Sequence, residues 1–216
     1  MSELKIFDLD NTLINGDSDR NWGQFLVEKN IVGNDYLLES EKFYNSYYEG
    51  DLDINGFLKF CLKPLQNNLM EDLLMIRKEF LKEKIMPIML DKAKKIIAQE
   101  KKTNPVIIAT ATNSFVTKPI AELFGVNDLV ATEFEVIDNK FTGEVLDIPC
   151  FREGKVIKVI EWAKTNGHDL STATFYSDSF NDLPLLKKVG EPIVVDGDDK
   201  LVNIARKNGW ACVSFR

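Results

Sequence analysis

The segment Asp8-Leu9-Asp10-Asn11-Thr12-Leu13 is the most informative part of this chain. It directly follows residues 4–7, a short and mostly apolar run that is typical of a buried strand. Side chains alternate along an extended chain, so two carboxylates two residues apart can point into one pocket while Leu9 between them turns toward the core. We therefore predict a functional site at Asp8 and Asp10, where the first strand ends.

The rest of the chain alternates between strand and helix patterns after Pro87. Strand–helix alternation predicts an α/β fold, with a doubly wound, Rossmann-like parallel sheet covered by helices on both faces. Strands are predicted at residues 106–109, 129–131, 173–177, 192–195 and 211–214, a hairpin at 134–137 and 141–146, and helices at 90–101, 114–124, 152–164, 182–188 and 200–207.

Apolar residues between Asp17 and Glu83 recur at helical spacing, with breaks near Gly33, Gly50 and Pro64. This pattern predicts a small all-helical insertion after the first strand. We expect residues 1–15 plus 87–216 to form the core and residues 16–86 to form the insertion. The aromatic residues of the insertion are assigned to its packing: Trp22, Phe25, Tyr47 and Tyr48.

The composition is that of an ordinary globular protein. The chain has 216 residues, of which 44% are hydrophobic and 28% are charged, and its formal net charge is −7. An acidic balance argues against a nucleic-acid partner or an anionic membrane surface. The three cysteines lack metal-ligand spacing, and no secretion signal or long apolar stretch is visible. We expect a cytoplasmic protein that is a monomer or a homodimer.

Three further polar clusters follow predicted strands or open predicted helices. Thr110 follows residues 106–109, Lys155 opens a helix, and Ser177-Asp178-Ser179-Phe180-Asn181-Asp182 follows residues 173–176. In open parallel sheets, ligands bind outside the carboxyl ends of the strands. These clusters should therefore meet the Asp8 segment in one pocket.

The side chains in these clusters match the needs of phosphate-ester hydrolysis. Asp8 would attack phosphorus, and Asp10 would protonate the leaving alkoxide and then activate water. Magnesium, which prefers carboxylate ligands, would be held by Asp8 and Asp178. Thr110 would donate a hydrogen bond to the phosphoryl group, and Lys155 would neutralise its charge.

The order of the clusters resembles the haloacid dehalogenase superfamily. Residues 8–13 are similar to its first motif, DxDxT; Thr110 is similar to its second, Lys155 to its third, and residues 178–182 to its fourth, DSxxD. The insertion is similar to the type 1 helical cap, and the chain resembles the subfamily that contains phosphoserine phosphatases. The family pattern usually has glycine where Ser177 stands here.

The resemblance implies further roles in the site. The backbone carbonyl of Asp10 joins Asp8 and Asp178 as a magnesium ligand. Three residues are assigned to the phosphate or to the support of the metal ligands: Asn113, Ser179 and Asp182. For Asn113 a helix-capping role is equally compatible. Asp182 could reach magnesium through water or cap a helix, and Lys158 is the rival to Lys155.

The start of the insertion suggests the substrate class. In phosphoserine-type relatives an acidic residue nine positions after the nucleophile meets the substrate amine, and Asp17 holds that place. Arg20 could meet a carboxylate or a second anion. The expected substrate is a small, polar phosphomonoester, phosphoserine-like or histidinol-phosphate-like. The alternative for Asp17 is that it only caps a helix.

Other protein classes fit the sequence less well. A signalling receiver has adjacent acids after its first strand and no such insertion, and a dehalogenase has no need of Asp10 as an acid. A phosphotransferase on the same fold, or a non-catalytic phosphate-binding module, stays as an alternative to the phosphatase.

Overall fold

The computed structural model describes residues 2–216. Six strands form a parallel sheet in the order β3-β2-β1-β6-β7-β8, and two form a separate antiparallel hairpin. The strands within the described residues are β1 (Lys5–Phe7), β2 (Val106–Asn113), β3 (Asp128–Thr132), β4 (Phe134–Ile137), β5 (Lys140–Val145), β6 (Thr174–Ser177), β7 (Glu191–Val195) and β8 (Ala211–Val213). The predicted α/β fold with a doubly wound parallel sheet is confirmed.

The sheet separates two hydrophobic clusters because successive side chains of its strands point to opposite faces. Ile6 of β1 and Ile107 of β2 pack in one cluster, and Phe7 and Ile108 pack in the other. All four side chains are fully buried. The helices of the described chain are α1 (Ser18–Glu28), α2 (Asp35–Glu49), α3 (Ile54–Gln66), α4 (Met70–Phe80), α5 (Asp91–Glu100), α6 (Ser114–Leu123), α7 (Glu153–Thr165), α8 (Leu183–Leu186) and α9 (Asp199–Asn208).

The strand β2 is longer than the sequence predicts. The predicted strand ends at Ala109, whereas β2 continues to Asn113. Ala109 pairs with Val130 and Asn113 pairs with Thr132. Between these two pairs β2 advances by four residues and β3 by two. A bulge of this kind bends a strand and re-aims its side chains. The Thr132 hydroxyl holds the bulge by donating to the Ala111 carbonyl at 2.9 Å.

The helices α1 to α4 lie between β1 and β2 in the chain, and we call them the helical insertion. Its two connections to the sheet run side by side: Ile14 and Met89 form an antiparallel bridge. The Asn15 N–H donates to the Ile88 carbonyl at 2.8 Å, and the Leu90 N–H donates to the Leu13 carbonyl at 3.1 Å. These hydrogen bonds between the two connecting segments fix the position at which the helical insertion leaves the sheet.

Aromatic packing joins the helical insertion to the rest of the protein. The Trp22 ring lies 5.1 Å from Phe80 of α4 and 5.9 Å from Phe115 of α6, measured between ring centroids. Trp22 and Phe25 are buried in this cluster. The break predicted near Pro64 falls two residues later, since α3 ends at Gln66. Within residues 2–216, no helix is both long enough and apolar enough to cross a membrane.

Candidate active site

The polar clusters converge beyond the carboxyl end of β1, the strand between β2 and β6 in the sheet. The chain runs from β1 to β2 and β3 on one side and reaches β6 on the other side only later. Such a reversal of strand order leaves a crevice at the strand ends, where open α/β sheets bind ligands. Asp8 follows Phe7 directly, so it stands at the mouth of this crevice.

Lys155 lies between two buried carboxylates. Its Nζ is 2.9 Å from an Asp8 oxygen and 2.6 Å from an Asp182 oxygen. Burial alone would lower the pKa of Lys155, but the charges of Asp182 and Asp8 outweigh it and raise that pKa well above its usual range. Asp182 also accepts a hydrogen bond from the Ser177 hydroxyl at 2.7 Å. The serine at the usual glycine position therefore supports Asp182.

Lys158 takes a different position, one turn further along α7. Its Nζ lies 2.6 Å from Asp147, whose side chain is exposed, rather than in the crevice. The helix start thus turns Lys155 toward Asp8 and Lys158 toward the surface.

Asp178 directly follows β6 and lines the same crevice as Asp8. The Thr12 hydroxyl donates to the Asp178 carboxylate at 3.1 Å, and the Asp178 N–H donates to the Thr12 oxygen at the same distance. Burial, then the charges of Asp8 and Asp182, raises the pKa of Asp178 well above its ordinary value. Burial also raises the pKa of Asp8 to about 7, although Lys155 opposes the rise.

These two carboxylates suit a hard divalent cation. Asp8 lies close enough to raise the pKa of Asp178, and a cation bound between the two carboxylates would lower that pKa again. No group of three His, Cys, Asp or Glu side chains within residues 2–216 is placed to hold a metal. The ligand set implied by the resemblance does not need three, because it combines the side chains of Asp8 and Asp178 with the Asp10 backbone carbonyl. The donors therefore fit magnesium.

Asp10 is held by both the sheet and the helical insertion. One oxygen accepts from the Ser18 N–H at 2.6 Å, at the start of α1. The other accepts from the Thr112 hydroxyl at 2.9 Å and the Thr110 hydroxyl at 3.3 Å. Burial and the charge of Asp17 raise the pKa of Asp10 to about 6. A carboxyl group with this pKa can carry and release a proton near neutral pH.

The crevice opens into a cavity of about 270 Å³ between the sheet and the helical insertion. Its aromatic wall comes from α2, α3, the turn before α7 and the segment after β6: Phe43, Tyr44, Tyr47, Tyr48, Phe57, Phe151 and Phe180. The sequence assigned Tyr47 and Tyr48 to packing, but both line the cavity. The Tyr47 hydroxyl lies 3.0 Å from the Ser179 oxygen, so the wall touches the segment that carries Asp178.

Asp17 and Asp19 form an acidic patch in this cavity, at the start of α1. Burial raises the pKa of each to about 6, and the charge of Asp19 adds to the rise at Asp17. Asp19 accepts from the Cys61 thiol at 3.3 Å. Neither acid takes part in an ion pair within the part of the chain that the structure describes. Asp17 also caps α1 by accepting from the Arg20 N–H.

Arg20 does not enter the cavity. Its guanidinium pairs with Glu41 and lies over the Tyr44 ring, on the outer side of the helical insertion. Residues three apart are neighbours on a helix, so the spacing from Asp17 does not by itself turn Arg20 away. The ion pair with Glu41 of α2 holds the Arg20 guanidinium apart from the residues that line the cavity. Among the lining residues of the described chain, the cationic side chains are Lys155 and Lys200.

Asn113 and Ser179 both line the cavity and both cap short helical segments. Asn113 accepts from the Val116 N–H at 3.2 Å, and its amide nitrogen is 3.5 Å from Asp19. The sequence alone assigned no role to Thr12 or Thr112. Both have hydroxyl side chains and lie in segments that carry the motifs. Thr12 comes two residues after Asp10 and Thr112 directly before Asn113, and these positions could have identified them.

Comparisons with known proteins agree on the family. The model of the haloacid dehalogenase-like hydrolases matches residues 6–187. A histidinol-phosphatase of Neisseria meningitidis serogroup C is 37% identical over 222 residues, which cover both chains completely. A phosphoserine phosphatase of Mycobacterium tuberculosis is 27% identical over 223 residues, which cover the whole of this chain and 72% of that protein.

Solved structures show the same architecture. A protein of unknown function from Bordetella pertussis Tohama I superposes with a TM-score of 0.93 at 34% identity, over all of both chains. A substrate-bound phosphoserine phosphatase superposes with a TM-score of 0.71 at 21% identity, over 99% of this chain and 93% of that one. The second likeness concerns the fold alone.

Proposed function

The chain belongs to the haloacid dehalogenase-like hydrolase family and is a phosphatase, and on this premise we propose that it hydrolyses a small phosphomonoester through an aspartyl-phosphate on Asp8, with Mg²⁺ as its cofactor. One observation carries the proposal: Asp8 and Asp178 line the same cavity at the end of the sheet, with the Lys155 ammonium 2.9 Å from Asp8. A nucleophile, a cation site and a fixed positive charge are what an anionic phosphoryl group requires.

The chemistry proceeds in two displacements at phosphorus. In the first, an Asp8 oxygen forms a bond to phosphorus while the bond to the substrate alkoxide breaks, and Asp10 gives that alkoxide its proton. In the second, Asp10 takes a proton from water, the water oxygen bonds to phosphorus, and the Asp8–phosphorus bond breaks. Phosphate leaves, and both carboxyl groups return to their starting protonation states.

The surrounding side chains prepare these steps. Thr110 and Thr112 orient Asp10 by donating to one of its oxygens, and we assign Thr110 a hydrogen bond to the phosphoryl group on Asp8. Lys155 favours the ionised form of Asp8 against the effect of burial and neutralises the phosphoryl oxygens. When bound by Asp8, Asp178 and the Asp10 carbonyl, Mg²⁺ supplies Lewis-acid stabilisation of the phosphoryl charge.

We assign residues 16–86 the role of a cap over the active site, and residues 1–15 plus 87–216 the role of the catalytic core. The Ser18 N–H of the cap donates to Asp10, and the cap contributes most of the aromatic wall of the cavity. The cap therefore supplies the surface that meets the alcohol part of the substrate.

The cavity favours an amine-bearing substrate without a carboxylate. Asp17 and Asp19 offer two negative charges that no ion pair satisfies within the described residues, while Arg20 is turned away and no arginine is among the described residues that line the cavity. Cations are also stabilised by aromatic walls. Histidinol phosphate carries an amine and an imidazole ring and lacks the carboxylate of phosphoserine, so it fits this cavity better.

Phosphate release over a substrate panel with Mg²⁺ tests the proposal. The panel contains histidinol phosphate, phosphoserine, phosphoethanolamine and glycerol phosphate, each assayed with the wild type and with Asp8→Asn. We expect amine-bearing substrates without a carboxylate to give the highest kcat/KM and the variant to be inactive. Equal rates for glycerol phosphate and the amino-alcohol phosphates would contradict the proposal that Asp17 and Asp19 recognise the substrate amine.

A further inference from the structure

The turn before α7 has an unusual backbone. The Gly154 N–H donates to the Phe151 carbonyl at 2.9 Å, which closes a four-residue turn with Arg152 in its second position. Arg152 has a φ of 49° and a ψ of −116°. These are the angles of a type II′ turn, where glycine is strongly favoured because a Cβ atom is crowded there. An arginine in this place is strained, and such strain is retained mostly at functional sites.

The Arg152 side chain joins three parts of the molecule. Its Nε donates to the Asn181 side-chain oxygen at 3.0 Å, in the segment between Asp178 and Asp182. Its Nη2 donates to the Gly50 carbonyl, at the end of α2 in the helical insertion. The guanidinium also lies 5.0 Å from the centre of the Phe151 ring. The planar fork of arginine can serve two acceptors at fixed angles in this way.

The end of α2 is the place where the helical insertion meets the far side of the active site. Carbonyls in the last turn of a helix carry partial negative charge and attract cations. Lys200 of α9 donates to the Tyr48 carbonyl at 3.0 Å, close to the Gly50 carbonyl that Arg152 holds. Two cations from the core therefore bind carbonyls at the C-terminal end of α2 and at its cap, Lys200 those of Tyr48 and Glu49 and Arg152 that of Gly50.

We infer that Arg152 is a positioning residue that couples closure of the helical insertion to the placement of Asn181 and of the start of α7. Lys155 lies three residues after Arg152, so the same turn that holds Gly50 also sets where α7 begins. Opening the insertion releases the Gly50 carbonyl and loosens both segments. This inference rests on the proposed function, in which Asp8, Lys155 and Asp178 carry the chemistry.

Three substitutions separate positioning from folding. Arg152→Ala removes the side chain, Arg152→Gly removes it and also relieves the backbone, and Arg152→Lys keeps the charge without the fork. Arg206→Ala, on the exposed face of α9, is the matched control. The readouts are kcat and KM for histidinol phosphate, the thermal midpoint Tm, and the rise in Tm caused by Mg²⁺ with beryllium fluoride, which mimics the phosphoryl group on Asp8.

We expect Arg152→Ala and Arg152→Gly to lower kcat/KM by about 10- to 100-fold, the usual effect of losing hydrogen bonds from a charged group. The loss falls chiefly on KM, because substrate binding must then supply the free energy of closure. The kcat/KM of Arg152→Lys should lie between the values for these two variants and that of the wild type. Arg152→Gly keeps a Tm at or above that of the wild type, and all variants keep the beryllium fluoride response.

Wild-type kcat and KM in Arg152→Gly would overturn the inference. So would a loss of activity that follows a fall in Tm and in the beryllium fluoride response, because Arg152 would then be only structural. If beryllium fluoride and Mg²⁺ fail to stabilise the wild type, the proposed function itself fails, and this inference fails with it.

Discussion

The Lys155 ammonium lies 2.9 Å from an Asp8 oxygen, and both side chains are withdrawn from solvent. On its other side the same ammonium contacts Asp182. Removing the cation leaves two buried carboxylates without a counter-ion, which is costly in a low-dielectric site.

Lys155→Met should therefore destabilise the protein strongly. We expect a loss of about 3–5 kcal/mol in the free energy of unfolding, measured by urea denaturation at pH 8 with a chelator. Lys158→Met is the matched control on the same helix, where an ion pair with an exposed partner is worth less than about 1 kcal/mol. Equal losses in the two variants would contradict the central position of Lys155.

Asp10→Asn should separate metal binding from proton transfer. The side-chain oxygen of asparagine can still accept from the Ser18 N–H, its amide NH2 can donate to the Thr112 hydroxyl oxygen, and its backbone carbonyl is unchanged. It cannot donate or take the proton, so kcat should fall by about 10²- to 10⁴-fold. The rise in Tm caused by Mg²⁺ should persist. Disappearance of that rise together with activity would show that Asp10 acts mainly through the metal.

The stability of the metal-free protein should fall as pH rises from 4 to 7. Burial raises the pKa of Asp8 to about 7, and it raises the pKa values of three further acids to about 6: Asp10, Asp17 and Asp19. Their ordinary value is 3.8, so between pH 4 and 7 the native state binds more protons than the unfolded state. The free energy of unfolding therefore decreases with pH in this window and levels off above pH 7.

Urea denaturation at a series of pH values, with a chelator present, measures this decrease. The double variant Asp17→Asn/Asp19→Asn should show a flatter profile, because two of the shifted acids are gone. Mg²⁺ should stabilise the wild type more at pH 7.5 than at pH 5, where protons compete for Asp8 and Asp178. Stability that rises with pH across the window would refute the assignment of these carboxyl groups as buried acids with raised pKa values.

Asp17→Asn and Arg20→Ala should differ in their effect on substrate choice. Asp17 lines the cavity, whereas Arg20 pairs with Glu41 outside it. We expect Asp17→Asn to raise KM for histidinol phosphate by about 10-fold or more, as for the loss of a charged partner, and to leave glycerol phosphate unaffected. Arg20→Ala should leave both KM values unchanged. A KM that rises for Arg20→Ala and not for Asp17→Asn would show that the substrate is recognised at the outer face of α1.

Much of the fold could be predicted because local patterns agree with it. The alternation of strands and helices predicts a parallel sheet, and the polar segment after residues 4–7 coincides with the end of β1. The continuation of β2 to Asn113 could not be predicted, because it depends on pairing with Thr132 on a different strand.

The site was predictable where residues follow strand ends, and less so where orientation matters. Helical spacing places Tyr47 and Trp22 alike on apolar faces, but only the packing of the helices decides that Tyr47 faces the cavity and Trp22 faces Phe80. The pairing of Arg20 with Glu41 depends in the same way on how α1 and α2 pack. The strained Arg152 leaves no mark in the sequence, because its backbone angles exist only in the folded turn.

The central claim is that Asp8 carries the phosphoryl group. Asp10→Asn slows hydrolysis of the intermediate, so this variant is mixed with Mg²⁺ and para-nitrophenyl phosphate, whose leaving group departs without a proton. The reaction is quenched in acid, and the peptide that contains Asp8 is analysed by mass spectrometry. We predict a phosphoryl adduct on Asp8 that forms together with the burst of nitrophenol. A burst without an adduct, or an adduct on another residue, would contradict the covalent route through Asp8.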